Sequence, residues 1–592
     1  MIIQRVLLNC INKDAKELVY LGDSKSDLGY DYPFFISENE LISFETYFNV
    51  FNIGKYNKYT NLTHISLEIL VKGNFKIELV KRNSDLSETV LFTKSKIFLS
   101  KDIIRLTVNF NEINVQEEDY LFMRISSISG FVEIYEGRWD SSINTINQVK
   151  IAVCICTYKR EDYVLKTIRS ICDSLFSNID NYSNKISIIV SDNAGTLDCS
   201  EFSNYPVYIV KNKNFGGSGG FTRCLLEVCK SDFTHILMQD DDILLEPECL
   251  KRTLTLTELL KTEFQDVSIA GGMFTFETPF IQFEASALWK GKPVSLKHDL
   301  DMRYKDALIQ NNRLEPADYS AWWYQCMSVK GIKDNYPIPF FIKCDDVEFG
   351  LRLHRTIIVM NGICVWHESF LKKSNPYIEY YSTRNALVTN SLCERTYSFE
   401  KAIIVEIQLF VRCLLKQKYS AAYFHMLALC DYKKGVNFFL NTNEEDLNNW
   451  LRSEDKRVKE IYTKSIEFNN ELIINFENSE KKKNTEKSFI SAIRVFLNFF
   501  HPFRLKYENK IIDISDEKMS NYIGCQSVIH YNSYDKSIYL TAIDKKYFWK
   551  ILGLFIKEII PIFILKNKYV ADYRRNIGTI TSQEFWERHL DI

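Results

Sequence analysis

The sequence has little net charge and no Cys-x-x-Cys pair, and each absence argues against a class of protein. Its 592 residues carry a formal net charge of −2, so no general basic character favours nucleic acid as a partner. Fifteen cysteines are present, yet none forms a Cys-x-x-Cys pair, which argues against both a zinc knuckle and a disulfide framework. The scattered thiols therefore predict a reducing, cytoplasmic compartment.

The sequence also lacks the run of roughly 20 apolar residues that a membrane-spanning helix needs. The nearest candidate, WKILGLFIKEIIPIFILKN from Trp549, is interrupted by Lys557, Glu558 and Pro561. This segment predicts either packed helices, which are the more common outcome, or a helix in a membrane interface. The opening segment MIIQRVLLNCINKD has too short an apolar run for a signal peptide.

The residue pattern changes twice along the chain, and the length predicts two to four domains. Residues 1–147 alternate apolar and polar positions, which predicts an amino-terminal β-sandwich with a hairpin turn at Gly73–Asn74. In residues 148–395, apolar strands alternate with helical segments, as in an α/β domain with a parallel sheet. Residues 396–592 are mainly helical, with a charged linker at 478–487.

Polar residues follow the apolar strands of the middle region. Thr157 and Arg160 come after the first strand, Asp192 ends the second, and Asp240–Asp242 end the fourth. The carboxyl ends of parallel strands meet at one edge of a sheet, and ligands gather there. We therefore expect one pocket lined by these side chains.

The segment NKNFGGSGGFTR follows the third strand and leads into a helical pattern. Its glycines would let the backbone approach a ligand closely, and the amino terminus of the next helix would favour an anion. The segment lacks the Gly-Lys-Ser/Thr of a P-loop and the G-x-G-x-x-G spacing of a dinucleotide site. Taken alone, it is more simply interpreted as a flexible connection.

Asp240 and Asp242 are one residue apart at a strand end, so both side chains can point the same way and share a cation. A hard cation such as Mg²⁺ or Mn²⁺ binds a few carboxylates together with phosphate oxygens of a substrate. His367 follows another apolar run in VWHESF, and a neutral imidazole could complete the ligand set. The alternatives are an acidic surface turn and a structural histidine.

A second acidic pair, Asp345 and Asp346, precedes an amphipathic helix in PFFIKCDDVEFGLRLHR. Acids in a first helical turn often cap the helix, and one of the two could instead perform acid–base chemistry. Trp322 and Trp323 in AWWYQCM are candidates for stacking on a sugar, although paired tryptophans more often belong to a core.

Several of these segments together resemble a known family. CICTYKRED, SDNAG, NFGGSGGF and MQDDDI resemble the family 2 glycosyltransferases of GT-A type. WWYQCM, PFFIKCDDVEFGLR and VWHE narrow the resemblance to bacterial galactofuranosyltransferases that build cell-wall galactan and related polymers. SFETYFNVF, from Ser43, is similar to the amino-terminal β-domain of that family, and the resemblance covers about residues 40–390.

The resemblance implies a role for each matching residue. Those that would hold the nucleotide are Thr157, Arg160, Asp192, Asn214, Gly217 and Asp241. Those that would bind Mn²⁺ or Mg²⁺ are Asp240, Asp242 and His367. Asp346 would be the general base beside Asp345, and the sugar site would be lined by Trp322, Trp323 and Glu284. The match departs at Gln239 and Cys344, changes that could alter the choice of sugar more than the mechanism.

The resemblance further implies an inverting, metal-dependent transferase with a GT-A, Rossmann-like catalytic domain. Such an enzyme would move galactofuranose from UDP-galactofuranose to a glycan or lipid-linked glycan acceptor in cell-surface polysaccharide synthesis. Two alternatives stay open: a rhamnosyl or glucosyl donor, and a carbohydrate-binding protein without activity. Peripheral contact with the inner face of the plasma membrane through Lys566, Lys568, Arg574 and Arg575, and a homo-oligomer, are further expectations.

Overall fold

The computed structural model describes residues 1–22, 33–176, 182–198, 200–369, 375–394, 396–462, 488–500, 505–514, 517–533 and 536–592. The charged linker predicted at 478–487 lies outside these residues.

The described residues of the amino-terminal region form an antiparallel sheet and a short α-helix. Its elements are β1 (Ile2–Arg5), β2 (Phe34–Ile36), β3 (Leu41–Ser43), α1 (Ile53–Tyr59), β4 (His64–Arg82), β5 (Glu88–Asn109) and β6 (Tyr120–Asp140). The strands pair in the order β1-β6-β4-β5, and β2 and β3 also pair with β6. The β-rich prediction is confirmed, but hydrogen bonds join the six strands into one sheet and not into the two sheets of a sandwich. The long strands β4, β5 and β6, of 19, 22 and 21 residues, run through the whole region and keep the sheet continuous.

The predicted hairpin at Gly73–Asn74 is wrong, because β4 continues through both residues. Gly73 has a φ of +125°, and the pairing of β4 with β5 and β6 shifts in register beside it. A Cβ at this position would lie 2.7 Å from the backbone oxygen of Phe131, so glycine allows the close approach of the neighbouring strand. The Gly-Asn pair therefore marks a bulge and not a turn.

The middle region is built on a mixed sheet. Its strands are β7 (Ile151–Thr157), β8 (Ile186–Asp192), β9 (Val207–Lys211), β10 (His235–Asp240), β11 (Leu244–Leu245), β12 (Ser268–Thr275), β13 (Ile281–Glu284), β14 (Ser286–Trp289), β15 (Pro293–Leu296), β16 (Leu300–Asp301), β17 (Gln325–Ser328) and β18 (Ile357–His367). Its helices are α2 (Glu161–Leu175), α3 (Gly216–Cys229), α4 (Glu248–Leu259), α5 (Lys305–Asn312), α6 (Asp345–Leu353) and α7 (Ile378–Leu392). The main sheet has the order β11-β18-β12-β17-β10-β7-β8-β9, with β13 paired to β12 and β16 paired to β13, and β14 pairs with β15 separately.

The sheet is not wholly parallel as predicted, because β17 runs antiparallel between β10 and β12. The strands on either side still run in one direction: β7, β8, β9 and β10 form parallel pairs, and β12 is parallel to β18. The carboxyl ends of β7, β8, β10 and β18 therefore lie along the same edge, which is the arrangement that gathers ligands.

Helices cover both faces of this sheet, as expected for the α/β class. Alternate residues of β7 belong to two different hydrophobic clusters. Val153 and Ile155 share one cluster with the apolar side of α2, whereas Ala152 and Cys154 share the other with α3.

The amino-terminal sheet and the middle sheet share one hydrophobic cluster. Polar contacts also join them: Tyr47 donates its hydroxyl to the backbone oxygen of Ile363, and Asn52 donates its amide to that of Asn361, each at 2.9 Å. Both acceptors belong to β18, so the amino-terminal region braces the strand that ends at His367.

The carboxyl-terminal region is mainly helical, as predicted, with a small sheet that was not predicted. Its helices are α8 (Phe399–Leu415), α9 (Tyr419–Tyr432), α10 (Val436–Asn441), α11 (Glu444–Tyr462), α12 (Ser488–Phe496), α13 (Lys545–Ile564), α14 (Lys566–Thr581) and α15 (Gln583–Leu590). The sheet contains β19 (Lys510–Asp513), β20 (Ser527–Tyr531) and β21 (Ile538–Ala542). Among the helices that the structure describes, none is long and apolar enough to cross a bilayer.

Candidate active site

An acidic cluster lies at one edge of the middle sheet. Asp240 ends β10, Asp242 follows in the next turn, and His367 ends β18. His367 Nε2 is 3.0 Å from Asp242 Oδ1 and 3.9 Å from Asp240 Oδ2. His367 Nδ1 lies 2.5 Å from the backbone oxygen of Glu368, so Nε2 is the ring nitrogen that faces the carboxylates. One ligand atom from each of the three predicted metal ligands thus lies within 4.8 Å of the others.

The middle aspartate of the run has a different set of partners. Thr157 donates its hydroxyl to Asp241 Oδ2 at 2.7 Å. Arg160 Nη1 donates to Asp241 Oδ1 at 3.0 Å and to Asp242 Oδ2 at 2.7 Å. Thr157 ends β7 and Arg160 follows in the next turn, and β7 pairs with β10 in parallel. The fold itself therefore brings a hydroxyl and a guanidinium to the three acids.

Burial and nearby charges shift the pKa values of this cluster in opposite directions. Burial raises the pKa of Asp240 to about 6, while His367 opposes the shift and Asp242 adds to it. Burial also raises the pKa of Asp241, against the charge of Arg160. For His367, burial disfavours the charged ring, but the hydrogen bond with Asp242 and the charge of Asp240 raise its pKa overall. A bound cation would relieve the repulsion among the carboxylates and favour their ionised forms.

The glycine loop comes close to the segment that precedes α6. Gly216 has a φ of +66°, and a Cβ there would lie 2.1 Å from the backbone oxygen of Phe341. A Cβ on Gly217 would touch Asp345 Oδ2 at 3.3 Å, and the neighbouring Ser218 donates its hydroxyl to that oxygen at 3.2 Å. Glycine at these positions therefore lets the start of α3 meet the start of α6.

The second acidic pair occupies the first turn of α6. Asp345 accepts the Ser218 hydrogen bond, and Asp346 Oδ1 accepts the backbone N–H of Val347 at 2.8 Å. Burial raises the pKa of both groups, and the charge of Asp345 contributes to a value of about 8 for Asp346. The charge of Asp345 also raises the pKa of Asp240, so the two acidic clusters interact electrostatically.

Glu284 extends the second acidic cluster, whereas the paired tryptophans belong to the core. Burial raises the pKa of Glu284, which accepts a hydrogen bond from Ser295, and its charge contributes to the raised pKa of Asp346. Trp322 packs against Phe221 and Phe349 and is 5% exposed; Trp323 donates its indole N–H to the backbone oxygen of Gly271 and is 6% exposed. This packing fits the core interpretation of the tryptophans better than stacking on a sugar.

Comparison with known families accounts for much of the chain. Residues 152–293 match the family described as Glycosyl transferase family 2. The chain carries a family 2 glycosyltransferase domain. Together with the helix-covered mixed sheet, this match confirms the predicted GT-A class. Residues 15–142 match a second family, described as Galactofuranosyltransferase 2 N-terminal. Asp240 and Asp242 lie inside the glycosyltransferase match, whereas Asp346 and His367 lie beyond it.

Two curated relatives, both named galactofuranosyltransferase GlfT2, are similar to part of the chain. The one from Mycobacterium tuberculosis (strain ATCC 25618 / H37Rv) is 23% identical over 384 residues, which cover 59% of this chain and 58% of the relative. The one from Mycolicibacterium smegmatis (strain ATCC 700084 / mc(2)155) is 22% identical over 376 residues, which cover 59% and 57%. The chain thus spans less than two thirds of either relative.

Solved structures resemble the chain only loosely. Residues 1–349 of Staphylococcus aureus TarS are 17% identical, with a TM-score of 0.27 over 41% of this chain and 65% of that one. A mannosyltransferase from Pyrobaculum calidifontis, in complex with GDP-mannose and Mn²⁺, is 10% identical, with a TM-score of 0.30 over 49% and 77%. Neither score is high enough to add to the description of the fold.

Asp192 and Asn214 are predicted to hold the nucleotide, but in this structure both form hydrogen bonds within loops of the glycosyltransferase domain. Asp192 accepts backbone N–H groups from Ala194, Gly195 and Leu197, at 2.8 to 3.1 Å, so its carboxylate closes the turn after β8. Asn214 Oδ1 accepts the backbone N–H of Gly216 at 3.4 Å. Both lie at the predicted edge, but in this structure their side chains are turned to the backbone.

Three residues close to the acids were not singled out in the sequence. Ser218 binds Asp345, and its position as a hydroxyl among four glycines was an available signal. Arg384 and Asn385 of α7 bind backbone oxygens of the segment before α6. α7 also contains other polar residues, such as Ser382, Thr383 and Thr389, so the sequence gave no indication of those partners.

Proposed function

We propose that the protein is an inverting, metal-dependent glycosyltransferase that moves galactofuranose from UDP-galactofuranose to a glycan acceptor in cell-surface polysaccharide synthesis. The observation that carries the proposal is the convergence of Asp240, Asp242 and His367 within 4.8 Å of one another. The charge of Asp345 on α6 raises the pKa of Asp240, so the second acid pair acts on the same site. The family 2 domain supports the reaction class, and the similarity to two proteins named as galactofuranosyltransferases supports the donor sugar.

The donor set of the acidic cluster fits a hard divalent cation. Asp240 and Asp242 offer carboxylate oxygens and His367 offers Nε2, which are ligands that Mn²⁺ and Mg²⁺ accept. When bound, the cation would neutralise charge on the leaving diphosphate. Arg160 holds Asp242 in place and adds a fixed positive charge at the same edge.

Asp346 is the proposed general base. In a single displacement, the acceptor hydroxyl attacks the anomeric carbon, the bond to the diphosphate breaks, and Asp346 takes the hydroxyl proton. The attack comes from the face opposite to the leaving group, so the configuration inverts. The raised pKa of Asp346 makes it a stronger base once ionised, and the charge of Asp345 helps to cause that shift.

Product analysis tests the proposal directly. The full chain would be incubated with a galactofuranose-containing acceptor and Mn²⁺, in parallel with UDP-galactofuranose and with UDP-glucose, UDP-galactose and dTDP-rhamnose. We expect transfer from UDP-galactofuranose with inversion. Transfer from one of the other donors alone would replace galactofuranose in the proposal, and no transfer from any donor would contradict it.

The proposal includes peripheral contact with a membrane. Two of the four basic residues expected to contact the membrane form salt bridges within the protein: Lys566 pairs with Glu400, and Arg574 pairs with Glu394. A more suitable surface is the solvent-facing side of α13, whose exposed apolar residues are Trp549, Ile556, Ile560, Phe563 and Ile564. Exposed lysines flank them on the same helix, at Lys546, Lys550 and Lys557.

Vesicle flotation tests the membrane contact. We expect the full chain to float with phosphatidylcholine vesicles that contain phosphatidylglycerol, and to lose binding on Ile556→Ser with Ile560→Ser. Ile97→Ser with Leu99→Ser, which alters exposed apolar residues of β5, is the control. Equal flotation of both double variants would exclude the α13 surface. Self-association, also predicted, is checked by light scattering of the same samples.

A further inference from the structure

The segment from Phe340 to Cys344 leads into the acid pair with a strained backbone. Phe341, Lys343 and Cys344 have φ angles of +73°, +66° and +63°, in the left-handed region. This region is costly for residues that carry a Cβ, and it persists only where the surroundings hold the backbone in place. The neighbouring structure must therefore supply specific contacts to these residues.

Two side chains of α7 supply those contacts. Asn385 Nδ2 donates to the backbone oxygens of Ile342 and Lys343, each at 2.9 Å. Arg384 Nη2 donates to the backbone oxygen of Phe340 at 3.0 Å, and its Nε donates to Asn385 Oδ1 at 2.8 Å. Arg384 is 1% exposed and Asn385 is fully buried, so water does not compete for these hydrogen bonds.

The other side of the segment faces the glycine loop. The backbone oxygen of Phe341 accepts the backbone N–H of Ser218 at 3.4 Å, and Gly216 has no room for a Cβ beside the same oxygen. The backbone oxygens of Phe340, Ile342 and Lys343 accept hydrogen bonds from α7, whereas that of Phe341 accepts one from α3. The segment is therefore held between two helices immediately before Asp345.

Aromatic rings fix the guanidinium of Arg384. Its central carbon lies 5.0 to 5.4 Å from the centroids of four rings, those of Tyr380, Tyr381, Phe438 and Phe439. Its Nη1 also lies within hydrogen-bond distance of the Tyr380 hydroxyl, at 3.2 Å. Enclosed in this way, the guanidinium is bound to protein groups and buried away from substrate, so its effect on the reaction must pass through the segment that it holds.

We infer that Arg384 and Asn385 are positioning residues that hold the segment Phe340–Cys344 in its left-handed conformation. They thereby place Asp345 against the glycine loop and set the position of Asp346, the next residue. This inference rests on the proposed function, because it assigns the placement of the proposed base. The amide of Asn385 suits the task, since it presents two N–H donors to two backbone oxygens. A carboxylate of the same size has no donor to offer them.

Substitution of Asn385 tests the kinetic part of the inference. For Asn385→Ala and Asn385→Asp we expect kcat to fall by about 100-fold, a typical cost of misplacing a catalytic group by about 1 Å. The KM for the nucleotide sugar should stay within about two-fold of the native value, because the acidic strand end is untouched. An unchanged kcat in Asn385→Asp, which keeps the size of the side chain, would overturn the inference.

Asn390→Ala is the matched control, because Asn390 is also buried on α7 but binds Trp289 and the backbone of Ala386. We expect this variant to lower the melting temperature and to leave kcat unchanged. An equal loss of kcat in Asn390→Ala and Asn385→Ala would reduce Asn385 to a structural role. If Asn385→Ala does not fold, Arg384→Lys replaces it, since lysine keeps the buried charge but loses the planar fork.

Hydrogen–deuterium exchange separates this inference from the proposed function, since it needs no activity. Amides of residues 341–346 should exchange faster in Asn385→Ala than in the native chain or in Asn390→Ala. Faster exchange in a chain that transfers no sugar would support the positioning device while contradicting the proposed reaction. Unchanged exchange would overturn the inference even in an active transferase.

Discussion

The two acidic clusters of the glycosyltransferase domain both contain aspartates, but the groups that surround the carboxylates differ. At the end of β10, the carboxylates face an arginine and a histidine: Arg160 binds Asp241 and Asp242, and His367 lies beside Asp240. At the start of α6, Asp345 accepts a hydrogen bond from a neutral hydroxyl and Asp346 accepts one from a backbone N–H.

The difference in partners suits different chemistry. At the strand end, positive partners oppose the rise in pKa that burial causes and so favour the ionised carboxylates, the state that a cation requires. In the α6 pair, burial outweighs the charge of Lys343 and raises the pKa of Asp346, so a proton is exchanged near neutral pH. The number of aspartates in each motif is therefore less informative than the groups that the fold places around them.

The largest expected effect comes from removing the charge of the proposed base. Asp346→Asn should lower kcat by about 1,000-fold or more, within the range of general-base catalysis, because the amide cannot take the acceptor proton. Binding of UDP, measured by calorimetry with Mn²⁺, should stay within about three-fold of native, because the strand-end cluster is unchanged. Glu348→Gln is the control, since Glu348 lies in the same helical turn but pairs with Arg352. Near-native turnover of Asp346→Asn would refute the assignment.

A second substitution breaks the other cluster. Asp240→Ala removes one of three converging ligands, so we expect affinity for Mn²⁺ and UDP together to fall by about 100-fold, as for other altered metal sites. Exchange of amides around α6 should stay native, because the second cluster is intact. Calorimetry that shows unaltered affinity for Mn²⁺ and UDP would exclude Asp240 as a ligand.

A third substitution sharpens the contrast by removing the positive partner. Arg160→Gln leaves Asp241 and Asp242 without their guanidinium, and their mutual repulsion should then raise the pKa of both carboxyls. We expect a loss of about ten-fold in affinity for Mn²⁺ and UDP at pH 6, and a smaller loss at pH 8, where the carboxyls ionise more fully. Arg169→Gln, which breaks a surface pair with Glu201, is the control. A loss that does not vary with pH would point to a direct contact with the nucleotide.

The strand-end cluster could be predicted from the sequence because strand order fixes it. Once the apolar runs before Thr157, Asp240 and His367 are accepted as strands of one direction, their polar ends must meet. The antiparallel strand β17 was not predictable in the same way, since its four residues, QCMS, carry no sign of direction. At Gly73, a glycine before an asparagine suits both a turn and a bulge, and contacts with other strands decided the outcome.

The positioning residues could not be predicted from the sequence, for a physical reason. Arg384 and Asn385 bind backbone oxygens more than 40 positions away. Every residue has such an oxygen, so the partner leaves no mark in the sequence. Similarly, no local pattern requires Phe341 and Cys344 to adopt positive φ. Tertiary contacts impose that conformation.

The smallest expected effect is on stability, and it distinguishes the two clusters by pH alone. Burial and the charge of Asp345 raise the pKa of Asp346 from 3.8 to about 8 in the folded chain. Between these values the folded chain binds a proton that the unfolded chain has lost, so the contribution of Asp346 to stability decreases as pH rises. In metal-free buffer, the melting temperature of the native chain should therefore fall relative to that of Asp346→Asn between about pH 5 and pH 8, by a few degrees. Parallel curves for the two proteins, measured by calorimetry, would show that Asp346 is ionised throughout and that both clusters handle their charge alike.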